Sequence, residues 1–423
     1  MRILLKSAKI IDPASTFNNQ NVDVFINNGK IEKIGKSLKI NDPDKVIDQK
    51  DLHVSQGWFD SSVSFGEPGY EERETIKNGL ATAARSGFTQ IILNPNTNPV
   101  IDDNGAVTSI LSKSAGHPVK LFPCGALTRG AQGKDLADLY DMHQAGAIVF
   151  GDYKKAVMNP NLLKLALQYV QSFNGLVQSF PQDNNIAGHG VMHEDINSTQ
   201  LGLRGIAPLA EELHISRDLA TLEYTGGKLH IPTISTAKSV KLIKEAKKKG
   251  LDVSCSVAVH NIIFSDDHLL DFDTHAKVLP PLRDKKSITA IWAGLKDGTI
   301  DMITSDHMPV DIEHKKIEFE HAQYGTIGLE SVFGSLANHL EIPEVIDLLT
   351  RGRKRFSLEE PEIKEGSTAN LTLFTPGGQR TFERENIYST SKNSLFLGSE
   401  ITGHVIGIIS GDICTLNDQS IKI

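Results

Sequence analysis

The side chains best placed to do chemistry in this chain stand at the ends of short β-branched runs. Asp60, Ser62 and Ser64 fall in GWFDSSVSF, Asn94 and Asn96 follow GFTQIIL, and Asp152 ends GAIVFGD. Phe180 ends GLVQSF, Thr233 lies in GKLHIPTIS, and Asp306 with His307 ends GTIDMITSDH. Paired carboxylates such as Asp152 and Asp306 can exchange protons or hold a cation. A serine nucleophile needs an adjacent base, and Ser62 or Ser64 beside Asp306 has no obvious histidine partner. His189 and His193 are four apart in HGVMH. Gly188 and Gly190 argue against a helix there, and the glutamate of a metalloprotease motif is absent. The plain reading of His307 is packing at the mouth of the fold, and His230, three residues before Thr233, is expected to face a different layer.

What positions these residues is a repeated unit in which a helical stretch stops at glycine and a β-branched run follows. The unit yields eight candidate strands, starting at Gly57, Gly87, Val119, Gly146, Gly175, Gly227, Gly250 and Gly298. Eight strands with intervening helices predict an α/β fold, a closed (β/α)₈ barrel, in which side chains at the strands' carboxyl ends face the site. A doubly wound open sheet is the alternative, and the glycine-rich phosphate loop expected after its first strand is missing. In TAKSVKLIKEAKKKG, Val240, Ile243 and Ala246 recur at helical spacing while the lysines take the other faces, so the lysine run is a solvated helix face. Residues 1–55 and 365–423 instead show short alternating strands and turns, such as INNGKIEKIG and STANLTLFTPGG. The two ends are expected to pair into one small β-sandwich flanking a barrel over residues 56–364.

Composition sets the outer limits. With 39% hydrophobic and 23% charged residues over 423 positions, the chain can bury a large core and a smaller one. A net charge of -8 offers no basic stripe for phosphates, which disfavours a nucleic-acid partner. No apolar run approaches the roughly 18 residues of a membrane span, and the start MRILLKSAKIIDPAST lacks a signal-peptide core, so a cytoplasmic location is expected. Cys124, Cys255 and Cys414 are far apart and read as reduced structural thiols.

Several long stretches, in order, resemble the dihydroorotases of the cyclic-amidohydrolase superfamily. They are FDSSVSFGEPGYEERETIKNG, NPNTNPVID, AGHGVMHEDINSTQLGLRGIAPLAEEL, TGGKLHIPTISTAKSVKLIKEAKKKGLDV, KVLPPLR, LKDGTIDMITSDHMP, GTIGLES and SKNSLFLGSEITGHV. The resemblance implies the barrel with a composite sandwich, a homodimer, and zinc-assisted reversible hydrolysis of a cyclic amide. Zinc lowers the pKa of bound water to about 7, and the last-strand aspartate shuttles the proton.

Set on that pattern, this sequence departs at each imidazole. The His-x-His pair falls on Ser62 and Ser64, the fifth-strand histidine on Phe180, and the sixth-strand histidine on Thr233. The arginine that grips the substrate carboxylate falls on Gly66, the asparagine of the KV-N-PPLR run on Leu279, and the second histidine of the Asp-His-Ala-Pro-His motif on Val310. Asp306 keeps the general-base position, Asp152 matches the metal-bridging carboxylate, and Asn96 matches a substrate-binding asparagine. No zinc is expected; two carboxylates alone suit a weakly held hydrated divalent ion better. Phe180, Leu279 and Val310 together predict a packed or apolar pocket. The first expectation is a non-catalytic scaffolding or regulatory protein linked to pyrimidine biosynthesis, for which the resemblance suggests aspartate transcarbamoylase as partner. The alternatives are an amidohydrolase that uses Asp152 and Asp306 with a divalent metal, and a small-ligand sensor.

Overall fold

The computed structural model describes residues 1–417, which form two large sheets joined through a shared aromatic core. Five strands come first: Arg2–Ile11 (β1), Asn21–Asn27 (β2), Lys30–Gly35 (β3), Lys45–Ile47 (β4) and His53–Gln56 (β5). The following segment supplies Trp58–Val63 (β6), Phe88–Leu93 (β7), Lys120–Gly125 (β8), Val149–Phe150 (β9) and Val177–Gln178 (β10). A minor pair, Met192–His193 (β11) and Gly205–Ile206 (β12), interrupts it before Leu229–Ile231 (β13), Val253–Ala258 (β14) and Met302–Thr304 (β15). The chain returns to the first sheet with Asn370–Thr381 (β16), Glu400–Ser410 (β17) and Ile413–Leu416 (β18).

The central sheet runs β6-β7-β8-β9-β10-β13-β14-β15, with every pairing parallel. Each of the eight expected runs contributes one of these strands. They are buried on both faces, as strands covered by crossover helices must be. The first and last strands are linked beyond β15 by a parallel bridge between Val63 and His307. Phe59 of β6, Ile92 of β7, Phe122 and Cys124 of β8, Val149 of β9 and Met302 of β15 fall in one apolar cluster with Phe356.

The covering helices follow ordinary signals. Ala237–Lys248 starts at Thr236, whose hydroxyl accepts from the Ser239 amide at 3.1 Å, and buries Val240, Ile243 and Ala246. Its lysines stay outside, and Lys247 reaches Asp301 at 2.7 and 2.8 Å. Gly87, with φ +94°, turns the chain from the helix Ile76–Arg85 into β7. A Cβ there would lie 2.6 Å from the Trp58 ring, so the position admits only glycine for both conformational and steric reasons.

In the other sheet the order is β18-β17-β16-β5-β1-β2-β3, with β4 beside β1. Antiparallel pairing of β5 with β16, from Leu371↔Gln56 to Phe374↔His53, stitches the two ends of the chain together. Its apolar face, including Ile3, Leu5, Val24, Ile47, Leu371 and Ile409, forms a second core. Trp58 joins the units: fully buried, it stacks on Phe333 at 4.8 Å, lies 5.9 Å from Phe374, and donates to Ser55 Oγ at 3.0 Å. No described helix is long and apolar enough to cross a membrane.

Candidate functional site

The carboxyl ends of the parallel strands bring Ser62, Ser64, Asn94 and Asp306 into one buried polar network. Asp60, itself buried, sets its floor. It accepts from the amides of Ser62 at 2.9 Å and Ser305 at 2.8 Å and from the Thr304 hydroxyl, tying β6 to β15. Above it, Asn94 Nδ2 donates to Ser62 Oγ at 3.1 Å and to Ser64 Oγ at 3.2 Å. The Ser62 hydroxyl donates to Asp306 Oδ1 at 3.1 Å, and Ser64 donates to Asn96 Oδ1 at 3.0 Å. Each serine hydroxyl thus has both its donor and an acceptor site engaged, and neither is held as a nucleophile.

A cation does sit on Asp306, and it is an ammonium. Lys154 Nζ lies 2.7 Å from Asp306 Oδ2, with the lysine side chain 10% exposed and the carboxylate 0% exposed. The Tyr153 hydroxyl adds a contact of 3.3 Å to Oδ1. Burial holds the Asp306 carboxyl above the usual carboxylate range, against the opposing pull of Lys154, Ser62 and Tyr153. Burial, reinforced by the Asp306 charge, pushes the Tyr153 phenol well up, so it stays a neutral donor. Tyr153, Thr233 and Asp306 all adopt left-handed backbone conformations at φ 57°, 47° and 47°, which are costly for side chains of these kinds and cluster at functional sites.

The remaining site positions are separated from this network. Asp152 turns away: both its oxygens accept from Thr128, one from the amide at 2.9 Å and one from the hydroxyl. Burial raises its carboxyl above the usual range. Phe180 packs with Ala187, Ile206, Ala210 and Leu279. Thr233 Oγ1 is buried with no hydrogen-bond partner among the described residues. Val310 is buried elsewhere, its amide held by Asn393 Oδ1 at 3.0 Å. The expected packed or apolar pocket is met in part: Phe180 and Leu279 pack in one cluster, Val310 is outside it, and a cleft of about 550 Å³ persists between polar and apolar walls. Asn96, Asp152, Lys154 and Leu279 are among the residues lining it.

This donor set does not fit zinc, which takes imidazole nitrogen, thiolate or carboxylate ligands at about 2.0–2.3 Å. Two hydroxyls committed to other partners, a phenyl ring, a threonine and a carboxylate neutralised by lysine are what the chain supplies. Position 66 is equally closed to an arginine. A Cβ on Gly66 would come within 1.7 Å of the Tyr70 carbonyl oxygen, because the turn is drawn tight by Tyr70 N–H donating to Gly66 O at 2.9 Å.

Two further histidines bear on the chemistry. His260, just past the end of β14 and fully buried, has no hydrogen-bond partner among the described residues on either ring nitrogen; burial and the Lys154 charge bring its pKa down to about 3. Sequence reading missed it, and its place just past a strand end was the available signal. His193, Asp195 and Asp266 could each offer one ligand atom within 4.8 Å of the others. Burial and the Arg283 charge hold His193 neutral, with its pKa near 4. However, Arg283 Nη1 already reaches His193 Nδ1 at 3.1 Å, and Asn197 engages Asp266 at 3.1 Å. A guanidinium against the imidazole opposes a second cation there. His307 packs as expected: buried, with Nδ1 accepting from the amides of Gly328 at 3.3 Å and Leu329 at 3.4 Å. His230 is likewise held inside, between Ser254 at 2.8 Å and Ser256 at 3.3 Å.

Comparison with known proteins places the chain. Residues 53–239 match the family described as Dihydro-orotase-like. A dihydroorotase of Pelotomaculum thermopropionicum is 37% identical over 431 residues, covering 100% of both chains. A dihydroorotase of Caldicellulosiruptor saccharolyticus is 39% identical over 417 residues, covering 96% of each. Among solved structures, the L-hydantoinase (dihydropyrimidinase) of Arthrobacter aurescens shares the fold with a TM-score of 0.85 at 19% identity, covering 100% of this chain and 97% of that one. The dihydropyrimidinase of Brevibacillus agri NCHU1002 gives 0.83 at 22% identity, covering 98% and 95%. With full-length relatives well above a third identical and the shared fold, this chain belongs to the dihydroorotase family.

Proposed function

We propose that this dihydroorotase-family chain is not a zinc hydrolase, and that it keeps a closed (β/α)₈ barrel, over residues 56–364, and a composite sandwich, from residues 1–55 and 365–423, for a scaffolding or regulatory role in pyrimidine biosynthesis. The observation that carries this reading is the Lys154–Asp306 pair. The carboxylate that would shuttle the proton is neutralised at 2.7 Å by an ammonium that cannot activate water as a Lewis acid. Ser62, Ser64, Phe180 and Thr233, in place of imidazoles, support the same conclusion. Asp152, bound by Thr128, and Asp306, bound by Lys154, leave little carboxylate free for the alternative reading, a divalent-metal amidohydrolase.

The scaffolding role takes a homodimer as its unit and aspartate transcarbamoylase as its partner, both suggested by family resemblance. Outward-facing apolar residues are consistent with association. On the packed helices Pro160–Val170 and Pro208–Thr225, Leu165, Tyr169, Leu209, Leu213 and Tyr224 are all exposed.

Metal analysis of purified protein, paired with dihydroorotate hydrolysis assayed with added Zn²⁺, tests the reading. The expected result is substoichiometric zinc and no turnover. Zinc-dependent turnover that disappears in Asp306→Ala would overturn it. For the partner, co-purification with aspartate transcarbamoylase at micromolar concentrations is expected, and two separate elution peaks would remove that assignment.

A further inference from the structure

A second cleft opens at the opposite end of the parallel sheet, where the strands begin. Lys228 precedes β13, Asp252 precedes β14 and Asp301 precedes β15, and the short helix Arg351–Phe356 lies against all three. The space between them, about 440 Å³, is lined by four cations, Lys228, Arg351, Lys354 and Arg355, against two carboxylates, Asp252 and Asp301. In a chain with a net charge of -8, this balance is local and opposite in sign.

The two arginines fix the frame. Arg355 Nη2 donates to Leu229 O at 2.8 Å and to Asp252 O at 3.1 Å, and its Nη1 binds the Asp252 carboxylate. Arg351 Nε donates to Asp301 O at 2.7 Å and its Nη2 to Ile300 O at 2.9 Å. The Asp301 carboxylate is taken by Lys247 at 2.7 and 2.8 Å. The two lysines have no such duty. Lys228 stands one residue before the carbonyl that Arg355 grips, and Lys354 one residue before Arg355 itself. Neither ammonium makes a hydrogen bond or ion pair among the described residues, and the buried Arg355 Nε also lacks an acceptor. The exposed Ser357 adds a hydroxyl at the rim. Like charges gathered in a concave wall focus a positive field, and an oxyanion with several acceptor atoms can answer more than one donor at once. We propose that this cleft binds a phosphate group, free or as the monoester of a small metabolite, with Lys228, Lys354 and Ser357 donating to its oxygens. Two unengaged ammonium groups match the charge of a phosphate dianion, which a carboxylate does not. Asp152 and Asp306 take no part, so the site stands apart from the proposed function.

Isothermal titration at pH 7.5 and low salt tests it with inorganic phosphate, glycerol 3-phosphate and acetate. One phosphate or phosphate ester per chain is expected to bind, and acetate at least about tenfold more weakly, as for loss of one charge-assisted hydrogen bond. The tighter of the two phosphates identifies the source, the free ion or the ester. Lys228→Gln and Lys354→Gln should each weaken it about tenfold. Lys155→Gln, beside the Asp306 network, and Lys33→Gln, on β3, should leave it unchanged. Thermal melts of each variant confirm that the fold is intact. No binding up to about 10 mM, equal affinity for acetate, indifference to both cleft substitutions, or equal weakening by Lys155→Gln or Lys33→Gln overturns the proposal. So does displacement of phosphate by a single-stranded oligonucleotide at about a hundredfold lower concentration, which would make the surface a nucleic-acid contact. The result is independent of the turnover assay, because hydrolysis with added zinc would remove the non-catalytic reading and leave the phosphate titration untouched.

Discussion

Replacing Lys154 with methionine isolates what the ammonium does. The substitution keeps the length of the side chain and removes the ammonium 2.7 Å from a carboxylate that is 0% exposed. Breaking a buried pair from one side costs about 3–5 kcal/mol. The low end applies, because Ser62 at 3.1 Å and Tyr153 at 3.3 Å still donate to Asp306 and the carboxyl can take up a proton. For a chain of 423 residues, an unfolding entropy of about 2.1 cal/mol/K per residue turns a loss of roughly 3 kcal/mol into a melting temperature lower by about 3 °C. The pH dependence has a definite sign. The Asp306 pKa is already raised in the folded protein and rises further without Lys154, so the folded state favours the protonated acid. The deficit is then largest at pH 7–8 and shrinks as pH falls toward the unfolded value of about 3.9. Adding Asp306→Asn should restore most of the stability, since a neutral amide needs no counter-charge. The assay is calorimetry of wild type, both single variants and the double variant between pH 5 and 8. A Lys154→Met deficit that is independent of pH, or unrelieved by Asp306→Asn, would refute the view that the two groups act as a pair.

Asp60→Ala should destabilise by about 3 kcal/mol, because two buried amides and the Thr304 hydroxyl lose one acceptor together; urea titration measures it. Phe180→Ala should cost a similar ~3 kcal/mol by opening a cavity among Ile206, Ala210 and Leu279, and regain of stability with added benzene would mark that void. Gly66→Arg should lower the melting temperature, read by calorimetry, since the Tyr70 carbonyl occupies the space for its Cβ. His193, His230, His260 and His307 have folded pKa values between about 3 and 4, depressed mainly by burial. Their contribution is full above the unfolded value near 6.5 and is lost as pH falls below it, by up to about 1.4 kcal/mol per histidine per pH unit. Acid titration of stability should show that slope reduced by close to one proton in His260→Gln.

Most of the parallel strands were legible because they are compact β-branched runs entered from a glycine that stops a helix, as at Gly87 and Gly250, both in left-handed conformations. Ser62, Phe180 and Thr233 could be set against the family's ligand positions because the motifs around them remain recognisable in sequence. Lys154 was not legible. Beside Lys155 in GDYKK it looks like half of a solvated pair, and its partner is 152 residues away, so only the three-dimensional turn after β9 tells the two lysines apart. Asp60 was read as one site residue among several, and its service to three donors on two strands depends on strand register that composition does not reveal. The place of Val310 was hidden for the same reason: it follows Asp306 closely in sequence, yet the loop carries it to Asn393 and away from Phe180.

The seam between β5 and β16 also imposes an order on folding. Residues 53–56 wait for residues 371–374, so the loop that must close spans three quarters of the chain. Short-range βα units can assemble as they leave the ribosome, but β5 has no partner on its β16 edge until translation is nearly over. During that interval the first strands present an open β edge and an uncovered apolar face, which makes the amino-terminal segment the part of the nascent protein most in need of a chaperone.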